Sequence, residues 1–262
     1  MYSVLELFHP RTHLAVVILC ALPLVSSALN LIAKVGRLRF FLFISFALWF
    51  GGTLWALYSS FAAIAETGAI AYPVGGFEEP LGIVLELNRG GWTAAATLFI
   101  LASAVWLFAL GSRETGAFFL SILSLMLFSL MGIICTRDLF NLFVFFEILS
   151  LCSLLFISHD RSRESLLAAL RYLLISSVSI FIYLIAVWMI YRRSGALSFA
   201  SVGTQGEGLA HAVAIAALYA GILTRTAVLP FHTWLPRAHA AAPHPASALL
   251  SGFVVTAPVL AL

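Results

Sequence analysis

Apolar residues run along this chain in long stretches separated by short polar connections. The stretches fall near 14–33, 39–65, 91–111, 117–136, 138–158, 166–191, 210–229 and 245–262. Crossing the hydrocarbon of a bilayer takes about 20 apolar residues in a helix that satisfies its own backbone hydrogen bonds. The first seven stretches meet that length, which predicts an all-α, polytopic transmembrane helix bundle of about eight spans. The eighth is marginal and reaches Leu262 without a polar flank, as if the chain stopped inside an element. The first run, from Leu14, reads as a full span and not as a cleavable leader. The seventh is expected to break. Pro230 and Pro236 bracket Phe-His232-Thr-Trp-Leu, and Pro243 and Pro245 follow; proline removes a backbone donor and drives the residue before it out of the helix. The longest polar connection, 66–90, holds several glycines with Pro73 and Pro80, and predicts an external cover or a short hairpin.

Composition narrows the function classes. Hydrophobic residues make up 62% and charged residues 10% of the chain, with a mean hydropathy of +1.07. Soluble domains carry about 25% charged residues, so lipid is the solvent for most of this surface. A net charge of +3 with no basic cluster interleaved with aromatics argues against a nucleic-acid partner. Cys20, Cys135 and Cys152 lie far apart in apolar runs and read as small hydrophobes. His239 and His244 are five apart with a proline between them and do not share a helix face. No phosphate-binding glycine loop, nucleophile elbow or metal-ligand spacing is present. The sequence therefore predicts no cofactor, no metal and no covalent chemistry, and a translocating rather than a catalytic role.

Lys/Arg bias in short loops sets orientation. Lys34, Arg37, Arg39, Arg113, Arg161, Arg163 and Arg237 fall on one side of an eight-span layout, and Glu66, Glu78, Glu79 and Glu86 on the other. Arg137, Arg192 and Arg193 oppose that majority. The N-terminus is then expected to be non-cytoplasmic, in the cell inner membrane. Trp92, Tyr172, Trp188, Tyr191 and Trp234 sit at span ends, where interfacial anchors belong.

Ionisable groups inside spans are few, and each costs roughly 2.5–3.5 kcal/mol on the insertion scale. Glu147 lies nine residues past Asp138 in span five, ~13–14 Å along a helix and so near mid-bilayer. Ser150 is one turn on, at i+3. Glu147 is either a functional carboxylate or a protonated group acting as helix glue. Arg225 falls late in span seven, just before the break. The break itself either builds an ion site at depth or is a surface turn in which His232 and Trp234 are interfacial. Arg171 begins span six, where it can line a path or snorkel to the surface. Ser176, Ser177, Ser179, Thr224 and Thr226 are mid-span hydroxyls that either hold water or ease helix packing.

At these residues the sequence resembles the proton-conducting antiporter family, which comprises the large antiporter-like subunits of respiratory complex I, of membrane-bound hydrogenases and of multisubunit Na⁺/H⁺ antiporters. The resemblance rests on Asp138-Leu-Phe-Asn-Leu-Phe-Val-Phe-Phe-Glu147, Pro230-Phe-His-Thr-Trp-Leu-Pro236, Ala238-His-Ala-Ala-Ala-Pro243 and Ser247-Ala-Leu-Leu-Ser-Gly252. Tyr72-Pro-Val-Gly-Gly76 with Pro80-Leu-Gly-Ile83 is similar to the external segment of the D-type antiporter subunit. Together these cover roughly residues 70–262.

The resemblance implies peripheral spans one to three within residues 1–112 and a five-helix half-channel, spans four to eight, within 113–262. It implies other membrane subunits as partners, with protons and Na⁺ as the moving ions. It assigns a proton pathway to Glu147 and its span-seven partner Arg225, with Arg171 where many members carry a span-six lysine; His232, Thr224, Ser150 and Ser177 are the further candidates along it, read from the residues themselves. Three departures stand out. Arg225 occupies a lysine position, and arginine does not give up its proton. Ser251, Thr256 and Pro258 stand where several members carry a span-eight Lys or His. A second inverted repeat is absent from residues 1–262. Two alternatives remain open: a scaffold subunit that has lost conduction, and a membrane subunit energising transport of another solute such as inorganic carbon.

Overall fold

A computed structural model describes residues 10–36, 40–77, 82–112, 115–203, 208–229 and 231–260. Arg37, Arg39, Glu78, Glu79, Pro80, Arg113, Pro230 and Leu262, on which parts of the expectations rest, lie outside the described residues. By its contacts the chain forms two compact units, 1–72 with 85–135, and 73–84 with 136–262.

The first unit holds α1 (Pro10–Gly36), α2 (Phe40–Thr67), α3 (Arg89–Gly111) and α4 (Ala117–Cys135). Here α1 packs on α2 and on α4, and α3 also packs on α2 and α4. All four are long and apolar enough to cross a membrane. Their buried faces carry hydroxyls and one amide. Ser27 on α1 and Ser121 on α4 each donate to the other's backbone carbonyl at 2.9 Å. Asn30 donates through Nδ2 to Leu120 O and Ser124 Oγ, both at 3.2 Å. Small polar side chains let membrane helices approach closely and bind across the seam. The 66–90 connection becomes a hairpin, as expected: β1 (Ala69–Pro73) pairs with β2 (Val84–Asn88). Asn88 then caps α3, accepting from Gly91 N at 2.8 Å.

The fourth predicted span thus groups by its contacts with the first three. By contacts alone the division falls between Cys135 and Thr136.

The second unit begins with α5 (Leu139–Ile157) and α6 (Arg163–Ser194), the remaining two full-length apolar helices. Asp138 and Ser162 cap them, accepting from Asn141 N at 2.6 Å and from Ser165 N at 3.1 Å. Gly195 ends α6 in the left-handed conformation, at φ +68°, where a side chain would strain the backbone. A short α7 (Phe199–Gly203) leads to α8 (Leu209–Arg225). The predicted break follows at once: a 3₁₀ turn (Phe231–Trp234) and α9 (Leu235–Ala241) replace a continuous helix.

The eighth predicted span is also interrupted. It is built from α10 (His244–Leu249), a π turn (Leu250–Val254) and α11 (Ala257–Leu260). Among the described residues six helices are therefore of membrane-crossing length, and the last two expected spans are shorter apolar runs. Proline accounts for part of this, since Pro236 and Pro245 stand at the first turns of α9 and α10, where a missing N–H does no harm.

Candidate functional site

Two close approaches set the site in the second unit. Gly221 lets α8 come down on α6: a Cβ there would lie 2.9 Å from Tyr183 Cβ and 3.0 Å from Tyr183 Cα. Ser179 Oγ donates to Gly221 O at 2.6 Å across the same contact. Tyr183 in turn donates from its hydroxyl to Leu139 O at 2.7 Å, tying α6 to the first turn of α5. One turn past Gly221, this packing delivers Arg225 to α5.

The Arg225 guanidinium is nearly closed off, its side chain 8% exposed. Nη1 donates to Ser150 Oγ at 2.7 Å and to Phe146 O at 3.1 Å; Nη2 donates to Glu147 Oε1 at 3.3 Å. The guanidinium also stands 5.0 Å from the Phe146 ring centre, a favourable cation–π separation. Glu147, by contrast, keeps 40% of its side chain exposed. The cation is thus enclosed, while the carboxylate it pairs with lies partly at the surface of the chain.

Ser150 extends the pair toward α6, with its Oγ 3.0 Å from Ser176 Oγ. Beside it lies a cavity of about 20 Å³, lined among others by Ser176, Ser179, Thr224, Arg225, Trp234 and Pro258. That is room for roughly one water molecule. Two buried donors, Arg225 Nε and Trp234 Nε1, have no hydrogen-bond partner among the described residues and both belong to residues of this lining. A buried N–H without a partner is costly, and the cavity has room for a water beside these two residues.

Of the residues expected along the pathway, Glu147, Arg225, Ser150 and Thr224 come together here. Thr224 lines the cavity while its own hydroxyl donates to Ala220 O at 2.7 Å. Ser177 does not join them: it has no hydrogen bond among the described residues, and its neighbours Ser176 and Ser179 take the positions facing α5 and α8. Arg171 is exposed and lies with Arg237 in a separate groove. His232 is exposed on the 3₁₀ turn, with no hydrogen bond among the described residues.

Tyr172 and Trp234 differ from the interfacial anchors expected. They are buried, with ring centres 5.1 Å apart, and pack Ala238 of α9 against Ala168 and Ala169 of α6. An amphipathic ring suits an interface or a polar cavity wall equally well, so position at a span end did not decide between them. Trp188 and Tyr191, toward the C-terminal end of α6, remain exposed as anchors would.

Residues 136–262 match the family model described as NADH:quinone oxidoreductase/Mrp antiporter, transmembrane. The NADH-quinone oxidoreductase subunit N of Desulforudis audaxviator is 33% identical over 220 residues, 79% of this chain and 44% of that protein. The D-type subunit of the Na⁺/H⁺ antiporter of Bacillus subtilis is 28% identical over 189 residues, 69% of this chain and 38% of that protein. Among solved structures, a chain of the membrane-bound sulfane sulfur reductase, an archaeal respiratory membrane complex, superposes with a TM-score of 0.86 at 26% identity. That match covers 95% of this chain and 52% of the other. A chain of the Mrp complex from a Dietzia species gives 0.85 at 25% identity, covering 97% and 48%. This chain therefore spans about half the length of these proteins or less. It is a multi-pass membrane chain that belongs, through residues 136–262, to the NADH:quinone oxidoreductase/Mrp antiporter transmembrane family.

Proposed function

We propose that this chain is a subunit of a cation/proton-translocating complex in the cell inner membrane, with proton movement gated at Glu147 by its pairing with Arg225. The observation that carries the reading is the asymmetry of the pair. Arg225 is enclosed and held by three acceptors, whereas Glu147 is open along one side and meets it at 3.3 Å. Arginine stays protonated under all ordinary conditions, so it acts as a fixed counter-ion. Glu147 is then the group that takes up and passes on the proton. Ser150, Ser176 and a water in the adjoining cavity would carry the hydrogen-bonded path toward α6 and the helix break. On this reading the fourth span joins spans five to eight as a half-channel over 113–262, other membrane subunits surround it, the N-terminus is non-cytoplasmic, and H⁺, with Na⁺ as a second candidate, is the ion moved.

The test is pH-driven proton flux in membrane vesicles carrying the assembled complex, compared for the native chain, Glu147→Gln and Arg225→Lys. Gln keeps the shape of Glu147 and removes its titration, so flux is expected to fall by about a hundredfold, the low end for loss of a positioned proton-transfer group. Lys retains the charge and loses the forked contact to Phe146 O, Ser150 and Glu147, which shifts the pH dependence. Equal flux in all three overturns conduction by this unit and leaves the scaffold reading, which the tight enclosure of Arg225 also suits.

A further inference from the structure

Two cations beside the helix break take no part in the Glu147 site. Tyr172 and Ala238 pack with Trp234, Ala168 and Ala169 into a buried seam between α6 and α9. The residues immediately before them, Arg171 and Arg237, come out of that seam exposed. Both line one groove of about 330 Å³, together with Leu174, Ile175, Thr233 and Trp234, a volume within the range of small-molecule sites. Arg171, Arg237 and Thr233 make no hydrogen bond or ion pair among the described residues. Glu164, the acidic residue nearest along α6, stands seven positions before Arg171, ~10 Å back along the helix. Two guanidinium groups opening on one groove repel each other and call for a shared anion. Each presents a planar fork of N–H donors that suits phosphate oxygens.

Depth and surface pattern say which phosphate. At 32 residues α6 is ~48 Å long, against ~30 Å of hydrocarbon, which leaves ~9 Å beyond each boundary when the surplus is shared. Arg171 lies eight residues past Arg163, the first of the helix, or ~12 Å along it and close to that boundary. Its Cβ tilts toward the helix N-terminus, so the side chain reaches back toward the headgroup layer. From the groove, Leu174, Val178, Phe181 and Ile185 continue along the same face of α6 at spacings of four, three and four, and all are exposed. This stripe runs ~16 Å, about half the hydrocarbon thickness, which is the reach of one leaflet's acyl chains. A soluble anion has no use for such a stripe; a phospholipid fills both parts.

We propose that the groove binds an anionic phospholipid, its phosphate held between Arg171 and Arg237 and one acyl chain laid along Leu174, Val178, Phe181 and Ile185. Thr233 offers a hydroxyl to the headgroup. Basic pockets between membrane helices are suited to such headgroups. The site concerns the surface that the chain turns to lipid, and it stands whether or not Glu147 conducts.

The experiment uses phosphatidylcholine vesicles carrying the complete complex, doped with either phosphatidylglycerol or phosphatidylcholine that bears a photoactivatable group in its acyl chain. Cross-linked residues are mapped by peptide mass spectrometry. On the native chain, phosphatidylglycerol is expected to label residues 174–185 at least about tenfold more than phosphatidylcholine, the scale set by two basic side chains at a membrane surface. The double variant Arg171→Gln with Arg237→Gln should bring that labelling down to the phosphatidylcholine level. Labelling of Leu54, Tyr58 and Phe61, exposed on α2, should not change. Equal labelling by the two lipids on the native chain overturns the proposal, and that comparison decides the matter should the double variant fail to assemble. Selectivity that survives in the double variant also overturns it. Loss of phosphatidylglycerol labelling on adding excess inorganic phosphate assigns the groove to a free anion instead. Absence of lipid label along the stripe, with Arg171 or Arg237 cross-linked to another subunit, assigns it to a protein partner.

Discussion

In the first unit, the polar side chains that bond from helix to helix are hydroxyls and one amide, on helices that run without a break; in the second, a guanidinium and a carboxylate meet where α8 ends beside the middle of α5. Ser26, Ser27, Asn30, Ser45, Ser121 and Ser124 bond across α1, α2 and α4 in neutral pairs. Such a seam fixes helix positions at little desolvation cost, since each hydroxyl also has a carbonyl of its own helix to fall back on. Arg225 and Glu147 have no such fallback. An ion pair at this depth persists only with its partners in place, and around it the backbone opens into a 3₁₀ turn, a short helix and a π turn. The difference separates polarity that holds helices together from polarity that can move a charge.

The largest effect should come from removing the charge. Arg225→Met fills a similar volume but leaves ionised Glu147 without its counter-ion and Ser150 Oγ without the guanidinium that donates to it. Flux in vesicles is expected to fall at least about tenfold, because an unpaired charge at this depth costs several times RT. The matched change in the first unit, Asn30→Leu, should leave flux within about twofold while lowering the thermal stability of the purified complex, by about 1–2 kcal/mol for an interhelical polar contact. A loss of flux in Asn30→Leu as large as in Arg225→Met would break the comparison.

A smaller effect, on stability first, is expected from Gly221→Ala. The new methyl would sit 2.9 Å from Tyr183 Cβ, with Tyr183 N and Cα at 3.0 Å, so the backbones of α6 and α8 must part. Overpacking of this kind costs roughly 1–3 kcal/mol, read as a lowered unfolding temperature. Because Arg225 lies one turn along α8, flux should fall as well. The second unit thereby couples packing to conduction, which Gly52→Ala in the first unit tests from the other side. There the added methyl meets only the flexible end of Leu22, and flux is expected to hold.

Which parts of this were legible beforehand follows from what each signal depends on. Span lengths depend on the run of apolar residues alone, and the first six helices appear within a few residues of their expected bounds. Glu147 and Arg225 announce themselves by their cost in lipid, and Ser150 by its i+3 spacing. The choice between Ser176 and Ser177 turns on helix phase. In α6 apolar residues face lipid and core alike, with Leu174, Val178 and Phe181 exposed and Ile180, Tyr183 and Val187 buried, so the pattern does not fix which hydroxyl points inward. His239 was legible as a failed metal ligand and as part of the Ala238–Pro243 motif, but not by its partners, Ser247 and Ser251. Its partners lie 8 and 12 residues on, beyond a proline-marked break, and no single-helix spacing brings them to the ring.

The smallest effect sharpens the comparison most. Ser124 Oγ lies 3.3 Å from Ser26 Oγ, accepts from Asn30 Nδ2 at 3.2 Å, and donates to Leu120 O at 3.0 Å. Ser124→Ala removes two contacts between helices, yet leaves Asn30 Nδ2 its bond to Leu120 O and Ser26 its pairing with Ser45. Interhelical hydrogen bonds in membrane proteins average about 0.6 kcal/mol, so stability should drop by about 1 kcal/mol or less and flux should not change. In the second unit Ser150→Ala removes an equally small hydroxyl, but one that accepts from Arg225 at 2.7 Å. It is expected to cost little in unfolding temperature and several-fold in flux. If the two alanine variants alter flux equally, hydroxyls in both units serve only to pack helices, and the distinction between a holding seam and a conducting one fails at its finest point.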